Sequence, residues 1–312
     1  LGREGRGVKP RDRSSLTAGR RRARIRPPVR YMQKEPVETG PDVLGYYEEN
    51  TRRMLRWGPG RSEGVIHRAV RDPDCAGPRE ALRSVERRIL RRLADTAPDH
   101  VVDLGCGVGS SALWLAERLP VRVSGITLSP LQAALAEKAA ARRGLAERCR
   151  FLAGDFCSPL PIEAAGAAYA IESLSHAPDP GSFFARQAEI LLSGALLLVC
   201  DDFRTRDTAS DPEEERWIRR FSEGWRLPSL RSAQEIIREA RKHGFTLLSD
   251  EDLTPFLRPT PPAALAVRSL AESLPVLKPA VRSSLAGGTA LQVCIRRGWV
   301  RYRFLAFRRE PS

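Results

Sequence analysis

A glycine-rich turn preceded by an acidic residue is the stretch with the clearest potential for chemistry. An apolar run at 101–104 passes into Gly-Cys-Gly-Val-Gly at 105–109, and a helical pattern follows. Glycines allow positive φ and let a ligand approach the backbone, and the helix beyond them offers unpaired N–H groups. The acid ends a strand, where its carboxylate favours an ammonium group over a pyrophosphate. The pattern favours a nucleotide-type site over an ordinary strand-to-helix turn, with four predicted contacts: Asp103, Gly105, Cys106 and Gly107.

Polar residues also stand where the next two strands are expected to end. The second strand leads into Thr127, and the third leads into Gly-Asp-Phe at 154–156. A dinucleotide-binding dehydrogenase carries a carboxylate at the end of its second strand, so the threonine counts against that class. The aspartate at 155 is placed to accept from an adenine amino group, with the phenylalanine beside the ring. These strand ends add six predicted ligand contacts: Thr127, Leu128, Gln132, Gly154, Asp155 and Phe156.

Strand and helix patterns alternate from residue 100 onward, and they must position these groups. Apolar runs at 101–104, 121–126, 150–152, 167–171 and 195–200 are separated by amphipathic stretches. Such alternation predicts an α/β, Rossmann-like, doubly wound and mostly parallel sheet, here of seven strands. Ligands then bind at the carboxyl ends of the strands.

The remaining segments suggest the domain organisation. Helical patterns predict an N-terminal helical cap over 32–98, and the alternating strands and helices predict a core over 99–312. The core is interrupted by a lid insertion at about 204–230, which carries two tryptophans after strand 5, and by a helical insertion at about 259–297. Residues 1–31 hold ten arginines and one lysine against two acids, and they show no periodicity. We expect a disordered basic extension there, either an upstream addition that is not native or a flexible tail.

Composition excludes several classes of function. The net charge of +14 comes mostly from residues 1–31, so no nucleic-acid partner is indicated. The six cysteines are scattered without a C-x-x-C pair, which suggests neither a metal site nor disulfides and favours a cytoplasmic protein. No apolar run approaches the roughly 20 residues of a transmembrane helix. The oligomeric state is open, with a homo-oligomer as one expectation.

The order of these features resembles the class I S-adenosylmethionine-dependent methyltransferases. Gly-Ile-Thr-Leu-Ser-Pro at 125–130 is similar to the second-strand end of tocopherol-type and cyclopropane-fatty-acid-type enzymes. Tyr-Ala-Ile-Glu-Ser-Leu-Ser-His-Ala-Pro-Asp at 169–179 resembles a signature of sterol, tocopherol and isoprenoid C-methyltransferases. The resemblance covers roughly 42–309. It implies S-adenosylmethionine as cofactor and a small isoprenoid or lipid-like acceptor, often an alkene carbon in terpenoid or secondary metabolism.

Methylation of an alkene carbon leaves a carbocation that must be shielded from water and then deprotonated. The resemblance implies that Glu172 is the base and that His176 orients it or binds the polar end of the substrate. Aromatic faces stabilise a desolvated cation by about 2 kcal/mol or more. Four aromatic residues are therefore candidate walls of the substrate site: Tyr46, Tyr47, Trp57 and Trp225.

Other interpretations stay open at this point. O- or N-methylation of a small metabolite would use Glu172 or His176 to deprotonate the acceptor, and cyclopropanation would start from the same cation. The non-enzymatic alternative is a binding protein that keeps the fold without turnover. His67 is expected to be a core histidine. A group of arginines could bind a diphosphate or form a solvated face: Arg52, Arg53, Arg56 and Arg68.

Overall fold

A seven-stranded sheet forms the centre of the molecule, and the computed structural model describes residues 41–57, 64–272, 274 and 276–311. The predicted basic extension at 1–31 lies outside the described residues. The apolar runs form strands because their side chains are buried on both faces of the sheet, as in the first strand, His100–Leu104, where all five residues are buried. The strands are β1 (His100–Leu104), β2 (Arg122–Thr127), β3 (Cys149–Ala153), β4 (Ala165–Ile171), β5 (Leu191–Arg204), β6 (Phe245–Asp252) and β7 (Val300–Arg309).

The strand order is β3-β2-β1-β4-β5-β7-β6, and β1 to β5 run parallel. The last strand, β7, lies antiparallel between β5 and β6. This arrangement confirms the predicted Rossmann-like, mostly parallel sheet. The order reverses between β1 and β4, and a crevice at the carboxyl ends of the strands is expected at such a reversal.

Helices cover both faces of the sheet. They are α1 (Pro41–Trp57), α2 (Pro78–Leu82), α3 (Ser84–Thr96), α4 (Ser110–Ala116), α5 (Pro130–Arg142), α6 (Pro180–Ile190), α7 (Pro212–Trp225), α8 (Ala233–Lys242), α9 (Pro262–Glu272) and α10 (Pro279–Arg297). Several begin where a Ser or Asp side chain accepts from a backbone N–H of the first turn, which satisfies a donor that the helix cannot. Among the described residues, no helix is long and apolar enough to cross a membrane.

A helical stretch at 78–96 lies within the segment that was predicted as an N-terminal cap. The structure divides it into α2 and α3 at Arg83. The Arg83 side chain is buried, and its guanidinium donates to Glu86 Oε1 at 2.7 Å and to Ser110 Oγ at 2.9 Å. The break therefore brings a charged side chain from the helical layer down to the start of α4.

A third apolar cluster lies away from the two faces of the sheet, between α7 and α10. The two helices approach very closely: a Cβ added at Gly224 would lie only 2.5 Å from the Gly287 Cα. Both positions require glycine for this contact. The helix pair forms a roof beside the carboxyl ends of the strands. The cap and insertion boundaries proposed from the sequence stay predictions.

Candidate active site

A cavity of about 280 Å³ opens at the carboxyl ends of β1, β2, β4 and β5. Its walls come from these strand ends, from the segment 64–67, from α1 and from the α7–α10 roof. The cavity therefore lies where the strand order predicts a ligand site.

The glycine turn after β1 forms one wall. Gly105 and Gly107 face the cavity with φ of +88° and +53°, in the left-handed region that favours glycine. A Cβ on Gly105 would lie 2.5 Å from the Ser173 Cβ. The Cys106 N–H donates to the Ile126 carbonyl at 2.8 Å, which fixes the turn against β2. A ligand can therefore touch the main chain here.

Asp103 lies at the base of this wall and is buried. The Tyr169 hydroxyl donates to its Oδ2 at 2.8 Å. Burial raises the pKa of the Asp103 carboxyl to about 7, although the hydrogen bond from Tyr169 opposes this rise. The hydrogen bond from Tyr169 offsets only part of the cost of burying this charge, so a ligand cation such as an ammonium group would stabilise the carboxylate.

The end of β2 carries a hydrogen-bonded chain of side chains. Thr127 Oγ1 donates to Gln132 Oε1 at 2.5 Å, and Gln132 Nε2 donates to Thr51 Oγ1 of α1 at 2.6 Å. Thr127, Leu128 and Gln132 all line the cavity, as the sequence predicts. This chain joins α1 to the wall of the cavity.

The predicted contacts after β3 divide between two places. Phe156 lines the cavity and also a neighbouring, more open one of about 460 Å³. Asp155 lines only the neighbouring cavity, and its Oδ1 accepts from the Cys157 N–H at 2.8 Å. Gly154 lines neither cavity as the structure describes them, because it packs against Leu160, 2.7 Å from where a Cβ would stand.

Glu172 follows β4 with a left-handed backbone, φ +51°, which is unusual for a residue with a side chain. Its Oε1 accepts three hydrogen bonds: from the Arg68 N–H at 2.9 Å, from Arg68 Nε at 3.1 Å and from the Tyr302 hydroxyl at 2.9 Å. Within the described residues, Oε2 has no hydrogen-bond partner. Burial disfavours the charge, but Arg68 and His67 outweigh it and lower the pKa of Glu172, so the carboxylate is ionised at neutral pH.

Arg68 ties this carboxylate to a second one at the end of β5. Its Nη2 donates to Asp202 Oδ2 at 2.7 Å, and its guanidinium lies 4.1 Å from the centre of the Tyr302 ring. The adjacent Asp201 instead accepts from the Ser175 backbone N–H at 3.1 Å. Arg68 therefore forms ion pairs with Glu172 and Asp202. It takes neither the solvated nor the diphosphate-binding role that was considered from the sequence.

His176 lines both cavities from the 3₁₀ turn at Leu174–His176. Its Nδ1 lies 3.3 Å from the Arg226 carbonyl oxygen, so Nδ1 carries the proton and Nε2 is the acceptor. Burial lowers the pKa of His176 to about 4, which keeps the ring neutral at pH 7.

Trp225, the predicted aromatic wall in the lid, lines the cavity. Its indole Nε1 donates to the Ser284 carbonyl of α10 at 3.1 Å. The side chains of the other three predicted wall residues lie outside the described residues: Tyr46, Tyr47 and Trp57. Helix α1 does contribute Asn50, Thr51 and Arg53 to the wall.

Sequence reasoning missed several residues of the site. His67 was expected in the core, but it lines the cavity. Burial alone would lower the pKa of His67, but the neighbouring Glu86 carboxylate outweighs burial and raises this pKa to about 9. Arg68 was considered only as a diphosphate ligand or as part of a solvated face, and Asp202 and Tyr302 were not considered. The one available signal was the rule that strand ends bind ligands, which applies to Asp201 and Asp202 near the end of the fifth strand.

Comparison with known proteins identifies the family. The Methyltransferase domain family matches residues 102–199. An O-methyltransferase of Aspergillus sclerotiorum is 32% identical over 227 residues, which cover 71% of this chain and 82% of that protein. The 24-methylenesterol C-methyltransferase 2 of Oryza sativa subsp. japonica is 31% identical over 64% of this chain. The match covers 54% of that protein, so this chain spans about half of its length.

A solved structure shares the fold: geranyl diphosphate C-methyltransferase of Streptomyces coelicolor A3(2) superposes with a TM-score of 0.62 at 19% identity, covering 88% of this chain and 100% of that one. The cavity fits the cofactor of the matched family, because backbone is exposed at Gly105 where a side chain would clash and a buried carboxylate stands beside it. Asp103 and the glycine turn would hold its amino-acid end, and Phe156 its base. The chain belongs to the class I S-adenosylmethionine-dependent methyltransferases.

Proposed function

We propose that this enzyme methylates an alkene carbon of a small isoprenoid or lipid-like substrate, and that Glu172 removes the final proton. The observation that carries the proposal is the Glu172 carboxylate, which faces the cavity with Oε1 held by three donors and Oε2 left without a partner among the described residues. Such a substrate belongs to terpenoid or other secondary metabolism.

The reaction places definite demands on the chain. When bound, S-adenosylmethionine supplies an electrophilic methyl group. The alkene π electrons form the new carbon–carbon bond, the sulfonium S–C bond breaks, and the neighbouring carbon becomes positive. Oε2 of Glu172 takes a proton from the carbon next to this centre, and the C–H electrons restore a double bond. An ionised carboxylate also stabilises the cation before the proton moves.

The lowered pKa of Glu172 distinguishes between acceptors. A carboxylate whose pKa is depressed by Arg68 and His67 is a weak base. A weak base is sufficient for a carbocation, which loses a proton readily, but it is poorly matched to an alcohol. The residue type and its environment therefore favour carbon over oxygen as the methyl acceptor.

The roof and wall of the cavity suit a cation formed away from water. Trp225 offers an aromatic ring, and Val65, Ile66 and Leu227 add apolar surface. Cation–π attraction strengthens when the site is desolvated. The names of the sterol and geranyl diphosphate C-methyltransferases among the similar proteins support an isoprenoid-like acceptor.

O-methylation of a small metabolite is a second candidate, and one observation favours it. His176 lines the cavity as a neutral imidazole, and an uncharged ring can orient a hydroxyl group for methylation by hydrogen bonding. The similarity to the Aspergillus O-methyltransferase supports the same alternative.

Locating the transferred methyl group separates the two candidates. The protein is incubated with methyl-labelled S-adenosylmethionine and a panel of prenyl alcohols, prenyl diphosphates, sterols and prenylated aromatics, and the products are analysed by mass spectrometry. We expect label on carbon in a product with the same number of double bonds as the substrate. Label on oxygen or nitrogen alone contradicts the proposal, and the reaction without protein is the control.

A further inference from the structure

The ion pair between Arg68 and Asp202 leaves one buried polar atom of each side chain without a partner among the described residues, and of the two residues Asp202 lines the cavity. Asp202 is 4% exposed and lines the cavity, and its Oδ2 accepts from Arg68. Its other oxygen, Oδ1, is buried and has no hydrogen-bond partner among the described residues, and neither has Arg68 Nη1. Buried polar atoms are nearly always paired in folded proteins, so an acceptor and a donor here lack the groups they need.

The charges around these atoms restrict the ligand. Four acidic side chains line the cavity: Asp103, Glu172, Asp201 and Asp202. The cations on its wall are engaged, because His67 binds Glu86 at 3.0 Å and Arg53 binds Ser284 at 2.8 Å. Arg68 is divided between two carboxylates. A phosphate or diphosphate would meet more negative than positive charge at this floor.

A hydroxyl group can supply the donor that Asp202 Oδ1 lacks. It donates one hydrogen bond and accepts others, whereas an ammonium group only donates and an ether only accepts. The Arg68 guanidinium lies 2.7 Å from Asp202 and would repel an ammonium group at the same carboxylate, so a neutral hydrogen-bond donor is favoured over a second cation. We infer that Asp202 Oδ1 accepts the hydroxyl proton of a neutral, lipid-like alkenol, which makes Asp202 a substrate-binding residue.

The position of Asp202 also limits where the hydroxyl lies in the substrate. One guanidinium joins Glu172 Oε1 to Asp202 Oδ2, with Nε at 3.1 Å from the first and Nη2 at 2.7 Å from the second. The hydroxyl site is therefore only one side chain away from the proposed base. Because this inference rests on the proposed function, the substrate it names carries its hydroxyl within a few bonds of the alkene.

Binding of matched ligands tests the inference without relying on turnover. Geraniol, geranyl methyl ether and geranyl diphosphate share one hydrocarbon chain, and each is titrated by calorimetry into the protein saturated with S-adenosylhomocysteine. We expect geraniol to bind about tenfold more tightly than the ether, the loss expected when a buried acceptor stays unpaired, and the diphosphate to bind most weakly. Equal affinities for alcohol and ether, or tightest binding of the diphosphate, would overturn the inference.

Asp202→Asn inverts the chemistry of the site at constant shape. The amide oxygen can keep the hydrogen bond from Arg68, and the NH₂ group then replaces Oδ1 with a donor. We expect the preference of the variant for alcohol over ether to disappear. Asp250→Asn is the control. Asp250 does not line the cavity, and its carboxylate pairs with Arg303 at a distance of 2.7 Å. Cofactor binding shows whether the Asp202→Asn variant is folded. A folded variant that still prefers the alcohol over the ether would contradict the inference.

The same ligands separate this inference from the proposed function. Carbon methylation of geranyl diphosphate with no discrimination between alcohol and ether would leave the proposed function intact and remove the inference. A preference for the alcohol with label only on its oxygen would retain the Asp202 contact and remove the proposed C-methylation. If none of the three ligands binds, the inference falls, and the wider panel of acceptors described above decides the proposed function separately.

Discussion

The two sides of the cavity are assembled from the chain in different ways. The cofactor side comprises predicted contacts drawn from 103–156, a stretch of neighbouring strands and turns. The acceptor side comprises His67, Arg68, Glu172, Asp202 and Tyr302, and its hydrogen bonds join residues 104 to 134 positions apart. Local sequence forms the first, whereas the second exists only when β4, β5, β7 and the segment 64–70 meet. Variants should therefore affect the two sides separately.

The largest effect is expected from Glu172→Gln on the acceptor side. An amide of the same shape cannot take the proton, so kcat should fall by about 10²- to 10⁴-fold while cofactor affinity stays unchanged. Single-turnover kinetics and calorimetry with S-adenosylhomocysteine measure the two quantities. Glu163→Gln, at an exposed glutamate paired with Arg122, is the control. A variant that turns over near the wild-type rate shows that Glu172 is not the base.

Gly105→Ala should break the cofactor side. The added Cβ would stand 2.5 Å from the Ser173 Cβ at a φ of +88°, and strain of about 1–3 kcal/mol corresponds to roughly 5- to 150-fold weaker cofactor binding. Gly144→Ala is the matched control, because φ is +68° there and nothing lies within 4 Å of the added Cβ. Both variants should lose stability in thermal unfolding, but only the first should lose affinity. Equal affinities would place the cofactor elsewhere.

The pH dependence of cofactor binding should also report on that side alone. The pKa of Asp103 is raised to about 7 by burial, so the carboxyl binds a proton below this value and is ionised above it. A ligand ammonium group needs the ionised form, and affinity should fall by up to about tenfold per pH unit below 7. Calorimetry between pH 5.5 and 7 measures this slope. An affinity independent of pH in that range would remove Asp103 as the ammonium ligand.

The smallest effect is expected from a pair of tyrosine variants that compares the two sides directly. Tyr302→Phe removes a donor to ionised Glu172, so the pKa of Glu172 should rise and the acid limb of the kcat/KM profile should move to higher pH, with a two- to tenfold loss at the acid end. Tyr169→Phe removes the donor to Asp103 and should instead weaken cofactor binding.

The outcome of this pair is diagnostic because each hydroxyl serves one carboxylate. An unchanged acid limb in Tyr302→Phe would show that Glu172 does not control the rate. A Tyr169→Phe variant with wild-type cofactor affinity would show that the Asp103 carboxylate does not need the hydrogen bond from Tyr169.

The same contrast explains how far the sequence could predict the site. The alternation of strands and helices is a local signal, and the strand-end rule then placed Asp103, Thr127 and Glu172 at one edge of the sheet. Tyr302 lies 130 residues from Glu172 in β7, and no local pattern indicates that this strand inserts antiparallel between β5 and β6. The role of Arg68 was equally hidden, because whether an arginine meets phosphate, solvent or acids depends on what folds against it.

The glycine contact in the roof has a consequence for how substrate range could evolve. Gly224 and Gly287 bring α7 and α10 together with no space for a methyl group, and neither residue lines the cavity as described. Trp225 and Ser284, which do line it, follow one glycine and precede the other on the same two helices. A side chain at either glycine must separate the helices and carry these two residues outward. The capacity of the enzyme for bulkier acceptors is thus adjustable at positions that never touch the acceptor.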